Sequence, residues 1–229
     1  IRPSYTIRIF RMGWYEGVGS SLKLTISNLP GVLQPTPDPD PTTGLIEANW
    51  QLSYTLETPT DWTTGVYLAS LTADNGEYGY IIFVLRDDAT PADILFQIPV
   101  NTYQAYNNWG GKSLYDHNST DGQRAYQVSF DRPYANYRGA GNFFAGNYNM
   151  IRFLEAQGYN VSYATSVDTE TSNLLSNKQV FLTERHDEYW SMPMRNRIAS
   201  ARDAGKSLVF FAGNSMYWQM RFEPSTTGQ

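Results

Sequence analysis

The mostly apolar run Ile94-Leu95-Phe96-Gln97-Ile98-Pro99-Val100 is followed at once by polar and aromatic residues, and it is the clearest indication of the architecture of this chain. Similar apolar runs lie at Val161 to Ala164, Val180 to Thr183 and Leu208 to Ala212. Short runs of this kind are typical of strands that are buried on both faces of a parallel sheet. The second half of the chain is therefore predicted to hold a sheet of such strands.

Helical patterns separate these runs and cover Gly146 to Gln157, Thr169 to Asn177 and Tyr189 to Ala204. The first and the last stop before Gly158 and Gly205, residues that commonly end helices. Strands that alternate with helices predict a parallel sheet with right-handed crossovers. We therefore predict a mostly parallel three-layer α/β domain of the catalytic type over residues 91–229.

A long connection rich in Asn, Gly and Tyr runs from Tyr103 to Gly146 and contains one possible strand, Tyr126 to Phe130. It is much longer than the usual loop between a strand and a helix. Loops of this length in a compact domain are functional or disordered.

The first half of the chain shows alternation typical of β-strands and no helical period. The Pro-rich stretch Gln34 to Pro41 interrupts it, because proline cannot join a sheet ladder. A small β-sandwich over residues 1–90 is predicted, followed by a linker at Arg86 to Pro91. The fold class is thus mixed β plus α/β. The predicted strands are Tyr5 to Met12, Leu22 to Ser27, Asn49 to Leu56, Gly65 to Thr72 and Tyr78 to Arg86.

Composition excludes several classes of function. The 229 residues carry a net charge of −5 and no basic run, so we expect no nucleic-acid partner. The apolar runs are far shorter than the roughly 20 residues of a membrane span, so we expect no membrane partner. The absence of cysteine leaves only oxygen ligands or the two histidines for any metal. Abundant Tyr, Asn, Thr and Ser favour a secreted or extracellular protein, with a cytoplasmic location as the alternative.

Ligands of open parallel sheets bind beyond the carboxyl ends of the strands. This rule selects Asn101 to Ser113, Glu184 to Ser191 and Gly213 to Trp218. Within the second segment, the His186-x-Glu188 spacing indicates a metal site, an acid/base pair or a helix cap. Neither a Gly-x-Ser-x-Gly elbow nor a phosphate-binding glycine loop is present.

Strings from both halves of the chain resemble the large (beta) subunit-like family of N,N-dimethylformamidase. They are Arg11 to Tyr15, Asn101 to Tyr115, Val128 to Tyr134 and His186 to Ser191. The resemblance runs from near the first residue to near the last.

The characterised enzyme of that family hydrolyses a small tertiary amide at a mononuclear iron, which two tyrosines and one glutamate hold. The resemblance implies Tyr67, Tyr106 and Glu188 as the ligands of Fe³⁺. It also implies that His186 acts as a nearby proton-transfer residue and that Asn214 contacts the substrate. Phenolate and carboxylate oxygens are hard donors that suit a trivalent iron.

Alternatives and departures accompany this assignment. Tyr103 is the alternative to Tyr106, and Arg185 stands where the family usually has Gly before the histidine. The family's catalytic domain continues beyond Gln229, so we expect the α/β domain to be truncated at its C-terminus. The expected partners are a small amide-like substrate and either the remaining C-terminal part of the same protein or a second copy.

Two functions follow from these observations. The first is an iron-dependent hydrolase of C–N bonds in an amide-like small molecule, similar to N,N-dimethylformamidase. The alternative is a non-catalytic extracellular binding or assembly protein that retains the scaffold.

Overall fold

A computed structural model describes residues 4–225. Residues 226–229, at which we expect the truncation, lie outside the described residues. The first half forms one antiparallel sheet in the order β2-β1-β3-β4. Its strands are β1 (Tyr5–Met12), β2 (Ser20–Leu29), β3 (Gly65–Ala73) and β4 (Tyr78–Leu85).

The predicted strand Asn49 to Leu56 is wrong, because these residues form an irregular segment. Side chains tie this segment to the Pro-rich stretch: Trp50 Nε1 donates to the Pro35 carbonyl at 2.6 Å. Gln34 Nε2 likewise donates to the Gln51 carbonyl at 2.8 Å. A prolyl nitrogen has no hydrogen to donate to a ladder, so this neighbour cannot serve as a pairing strand.

The second half contains the predicted parallel sheet, in the order β6-β5-β7-β9. A short parallel pair, β8 with β10, lies beside it. The elements are β5 (Ala92–Ile98), α1 (Val100–Tyr106), α2 (Asn147–Ala156), β6 (Val161–Thr165), α3 (Ser166–Thr171), β7 (Lys178–His186), β8 (Tyr189–Ser191), α4 (Met192–Asp203), β9 (Ser207–Gly213) and β10 (Trp218–Met220).

Hydrogen-bonding side chains explain where two helices begin. The predicted helix Tyr189 to Ala204 opens as strand β8, and α4 starts only after Ser191, whose Oγ accepts from the Met194 N–H at 3.2 Å. Similarly, the Thr165 hydroxyl caps the N-terminus of α3, so this helix begins before the predicted Thr169.

The connection that follows β5 also differs from the prediction. The helix α1 was not predicted, and Tyr126 to Phe130 is irregular rather than a strand. The rest of the connection between α1 and α2 contains short 3₁₀ helices at Trp109–Gly111, Asp116–Asn118, Thr120–Gly122, Asn136–Gly139 and Phe143–Ala145.

Successive side chains of β5 point to opposite faces of the parallel sheet and enter two different hydrophobic clusters. Phe96 packs in a cluster with Val66 and Leu68 of β3, whereas Leu95 packs in a cluster with Met194 of α4. The parallel sheet is therefore covered on both faces. Residues 4–90 contribute a single sheet that packs on this domain, so the predicted β-sandwich is not confirmed. None of the helices within residues 4–225 is long and apolar enough to cross a membrane.

Candidate functional site

The carboxyl ends of β5 and β7 meet at one edge of the parallel sheet, because these strands are neighbours in register, with Gln97 opposite Thr183. The helix α1 follows β5 directly, and β7 runs on to His186. Helix α1 and the segment after β7 are thereby brought into contact.

Two polar side chains of α1 hold that segment. Thr102 Oγ1 accepts a hydrogen bond from the Glu188 backbone N–H at 3.0 Å. Asn101 Nδ2 donates to the Tyr189 carbonyl at 3.1 Å. Both α1 residues are buried, so these bonds form away from water and fix the backbone that carries Glu188.

Three phenols and one carboxylate form what we call the tyrosine–glutamate cluster, which consists of Tyr106, Tyr115, Glu188 and Tyr189. The Tyr106 hydroxyl lies 3.1 and 3.3 Å from the two Glu188 carboxylate oxygens. The Tyr115 hydroxyl lies 3.4 Å from Oε2 of the same carboxylate. Tyr189 donates to the Tyr115 hydroxyl at 2.6 Å. The Glu188 carboxylate is therefore the point at which the cluster converges.

Burial raises the pKa of Tyr106 and Tyr115 above the ordinary phenol value, and the negative charge of Glu188 adds to the increase. Burial likewise raises the pKa of Tyr189 to about 12. All three phenols thus keep their protons at neutral pH in this protein without a cation. A bound cation of high charge reverses this tendency, because it stabilises phenolate directly.

The donor set of the cluster fits a trivalent iron. Two phenol oxygens and a carboxylate lie around one point, and hard anionic oxygens are the ligands that such a cation prefers. Within residues 4–225, no group of three or more His, Cys, Asp or Glu is arranged to hold a metal ion. A metal centre at this edge therefore depends on the tyrosines.

Tyr67 is not brought to the tyrosine–glutamate cluster. It lies in β3, fully buried, and its hydroxyl donates to the Thr63 carbonyl at 2.7 Å. Its ring is stacked between Trp62 and Phe83, with centroids 4.9 and 5.3 Å away. These contacts belong to the outer face of the antiparallel sheet.

Tyr103, the alternative to Tyr106, points elsewhere. Its buried hydroxyl donates to Asn147 Oδ1, and Asn147 Nδ2 donates to Glu184 Oε2 at 2.8 Å. Burial raises the pKa of the Glu184 carboxyl to about 6. Of the two candidates, Tyr106 is the one that contacts Glu188.

His186 and Asn214 lie side by side at the same edge. His186 is paired in register with Gly213, the residue before Asn214, and both side chains are exposed. A Cβ at Gly213 would lie 3.2 Å from His186 Nε2, so the imidazole covers this glycine. The segment then runs beside the cluster, where the Trp218 N–H donates to the Glu188 carbonyl at 2.9 Å.

Arg185 adopts a φ of 68°, the left-handed region that favours glycine. This explains physically why glycine suits the position. The Arg185 guanidinium donates to the Ala145 carbonyl, and a Cβ at Gly146 would overlap Arg185 Cδ. Together with Glu184, it lines a cavity of about 370 Å³ rather than the tyrosine–glutamate cluster.

Asp187 lies in the segment Glu184 to Ser191 that the sheet-edge rule selects, but no sequence pattern assigns it a role. It is fully buried, and its Oδ2 accepts from Gln97 Nε2 and Thr183 Oγ1, each at 2.7 Å. Burial raises its pKa to about 6, and the two hydrogen bonds oppose the increase. The side chain ties β7 to β5 directly behind Glu188.

The fold and this site define a mixed β and α/β protein with a tyrosine–carboxylate cluster at the carboxyl edge of its parallel sheet. A family model described as N,N-dimethylformamidase beta subunit-like, C-terminal, matches residues 6–229. The chain belongs to this family. None of the curated proteins with which it was compared matches it.

Proposed function

We propose that the chain is an iron-dependent hydrolase of C–N bonds in an amide-like small molecule, with Tyr106, Tyr115 and Glu188 as the iron ligands. Family membership supports the amidase-like part of this proposal. The observation that carries the metal assignment is the approach of the Tyr106 and Tyr115 hydroxyls to one buried carboxylate, at 3.1 and 3.4 Å.

Tyr115 takes the place that the resemblance assigned to Tyr67. It is the phenol that shares Glu188 with Tyr106, whereas the Tyr67 hydroxyl is satisfied by the Thr63 carbonyl. Two phenolates and one carboxylate together carry three negative charges, which balance a trivalent cation. This balance offsets part of the cost of burying each charge alone.

A ferric ion bound here would supply a Lewis acid for the amide carbonyl and acidify a bound water. The chain's own residues supply orientation and proton transfer. His186 is exposed at the sheet edge, and its imidazole has the chemistry to accept or donate a proton in catalysis. Asn214, beside it, offers an amide group that can donate a hydrogen bond to a substrate carbonyl and accept one from a substrate N–H.

The family description names a beta subunit-like domain, so we propose that the chain works within a larger assembly. The partner is the remainder of the same protein or a second copy. We further propose a secreted location, which the composition favours.

Elemental analysis of protein purified without chelators or affinity metals tests the metal assignment. About one iron per chain, together with a tyrosinate-to-iron absorption band, is the expected result. Hydrolysis is then assayed with small tertiary amides by detecting the released amine.

A folded chain that takes up no iron when Fe³⁺ is added would contradict the proposal. It would leave the non-catalytic binding or assembly function as the better account. The exposed aromatic pair Tyr217 and Trp218, with ring centroids 5.1 Å apart, would then be the first surface to test for binding.

A further inference from the structure

A closed loop connects the two tyrosines of the cluster. Tyr106 ends α1, and the Leu114 N–H returns to donate to the Ala105 carbonyl at 3.0 Å, which places Tyr115 beside Tyr106. The two rings stack with centroids 4.3 Å apart. The conformation of residues 107–114 therefore determines how the two hydroxyls are spaced.

Arg132 occupies the centre of this loop. Its NH1 donates to the carbonyls of Trp109 and Lys112 at 3.1 and 2.9 Å, and its NH2 donates to the carbonyl of Asn107 at 2.9 Å. One guanidinium thus satisfies three carbonyls between Tyr106 and Tyr115. The planar fork of arginine, with its five N–H donors, suits this arrangement better than a lysine ammonium.

The environment of Arg132 is costly for a cation. The residue is 6 % exposed, its Nε is buried without a partner, and within residues 4–225 no carboxylate forms an ion pair with it. Burial accordingly lowers its pKa to about 10. Its charge is held by neutral carbonyls alone, and its removal would leave these carbonyls of the loop without their donor.

A second set of bonds joins the same two segments. Asn107 Nδ2 donates to the Pro133 carbonyl at 2.9 Å, and Asn107 Oδ1 accepts from the Ala135 N–H at 2.9 Å. Oδ1 also accepts from the Trp109 N–H at 3.2 Å. Residues 132–135 therefore clamp the loop at its start and at its centre.

We propose that Arg132 is a positioning residue that holds the Tyr106 and Tyr115 hydroxyls at the spacing required for metal binding. The inference rests on the proposed function of the cluster, because it takes both tyrosines as ligands. Arg132 acts through the loop, because its hydrogen bonds go to the backbone carbonyls of the loop and not to either phenol.

The test compares Arg132→Lys, Arg132→Met and Asn107→Ser with the wild-type chain. Fe³⁺ affinity is measured by competition with a chelator, and the tyrosinate-to-iron band is recorded for each protein. We expect affinity to fall by about 10- to 100-fold in Arg132→Met, the usual effect of removing a residue that orients metal ligands. Arg132→Lys should lie between Arg132→Met and wild type, and the band should shift in all three variants.

Arg11→Met is the control for the loss of a partly buried arginine. Arg11 also donates to a carbonyl, that of Thr64 at 2.8 Å, but it pairs with Glu155 and has no bond to the loop. We expect this variant to unfold at lower temperature with unchanged iron affinity and an unchanged band. Asn107→Ser provides the same test if Arg132→Met does not fold.

Two outcomes would overturn the inference, and only one of them would also overturn the proposed function. If wild type binds iron and the folded Arg132 and Asn107 variants keep the same affinity and band, the positioning role is wrong while the proposed function stands. If wild type binds no iron, both fail.

Discussion

The ring of Tyr106 lies on the ring of Tyr115, with an interplanar angle of 22°, and both hydroxyls reach the carboxylate of Glu188. The stack turns both hydroxyls toward one acceptor, and this shared acceptor is the geometry on which the proposed metal site depends.

Removing one hydroxyl of this stack should weaken metal binding without unfolding the protein. We expect Tyr106→Phe and Tyr115→Phe each to lower iron affinity by at least about 10-fold. Each phenylalanine keeps the ring and therefore the stacking. Chelator competition measures the affinity, and far-UV circular dichroism checks the fold. Unchanged affinity in both variants would remove the two tyrosines from the ligand set.

Tyr67→Phe separates the two candidate ligand sets. We expect full iron content, because the Tyr67 hydroxyl donates to the Thr63 carbonyl and not to Glu188. Stability should fall by about 1 kcal/mol, since a buried hydrogen bond is lost. Urea unfolding measures the change. Loss of iron in this variant would favour Tyr67 over Tyr115.

Glu184 should make the protein less stable as pH rises. Its pKa of about 6 in the folded protein lies above the ordinary glutamate value of 4.5, so its contribution to stability is fully present below pH 4.5 and is lost as pH rises through 6. Glu184→Gln should reduce this loss, by no more than about 1 kcal/mol for a half-buried group. Urea unfolding of both proteins between pH 4 and 7 gives the difference.

Asp187 contributes with the same sign, because burial raises its pKa as well. A residual slope is therefore expected in Glu184→Gln. The hydrogen bond from the Thr90 N–H lowers the pKa of Asp87. Its contribution to stability is therefore lost only as pH falls below the interval from pH 4 to 7. A Glu184→Gln slope equal to that of wild type would contradict the prediction.

Gly146 and Arg185 should be energetically coupled. A Cβ at Gly146 would overlap Arg185 Cδ, so Gly146→Ala should cost about 1–3 kcal/mol in the wild-type background. Much of this cost should disappear when Arg185→Gly is already present. A double-mutant cycle by urea unfolding measures the coupling, and purely additive effects would show that the two residues do not compete for space.

Local sequence pattern was sufficient to predict β1 and β5. The apolar run of β5 and the end of β1 at Met12 were predictable, because both are determined by residues within the strand. Asn49 to Leu56 was not, since its alternation resembles a strand while its partners are side chains of the Pro-rich stretch. The start of α4 depended on Ser191, whose capping role the hydrophobic pattern does not show.

The site was predictable only in part, for a similar reason. Glu188 follows β7, and Tyr106 ends α1, the helix that follows β5. Ligands of parallel sheets bind beyond the carboxyl ends of the strands, so this rule indicates both positions. Tyr115 stands nine positions after Tyr106, but it returns beside Tyr106 through the bond of the Leu114 N–H to the Ala105 carbonyl, which no spacing rule predicts. The resemblance, carried over by position, implies Tyr67, but such a comparison does not show that the Tyr67 hydroxyl already donates to the Thr63 carbonyl.

The cluster also has an order of assembly. Tyr106 and Tyr115 share one short loop, whereas Glu188 is separated from them by 82 and 73 residues. Contacts between distant residues form late, because closing the intervening chain costs entropy first. The tyrosine pair, with the segment up to residue 135 that holds its loop, is therefore expected to form before Glu188 reaches it, because Glu188 is positioned only when β7 pairs with β5. Under the proposed function, the complete set of metal ligands would exist only in the finished fold.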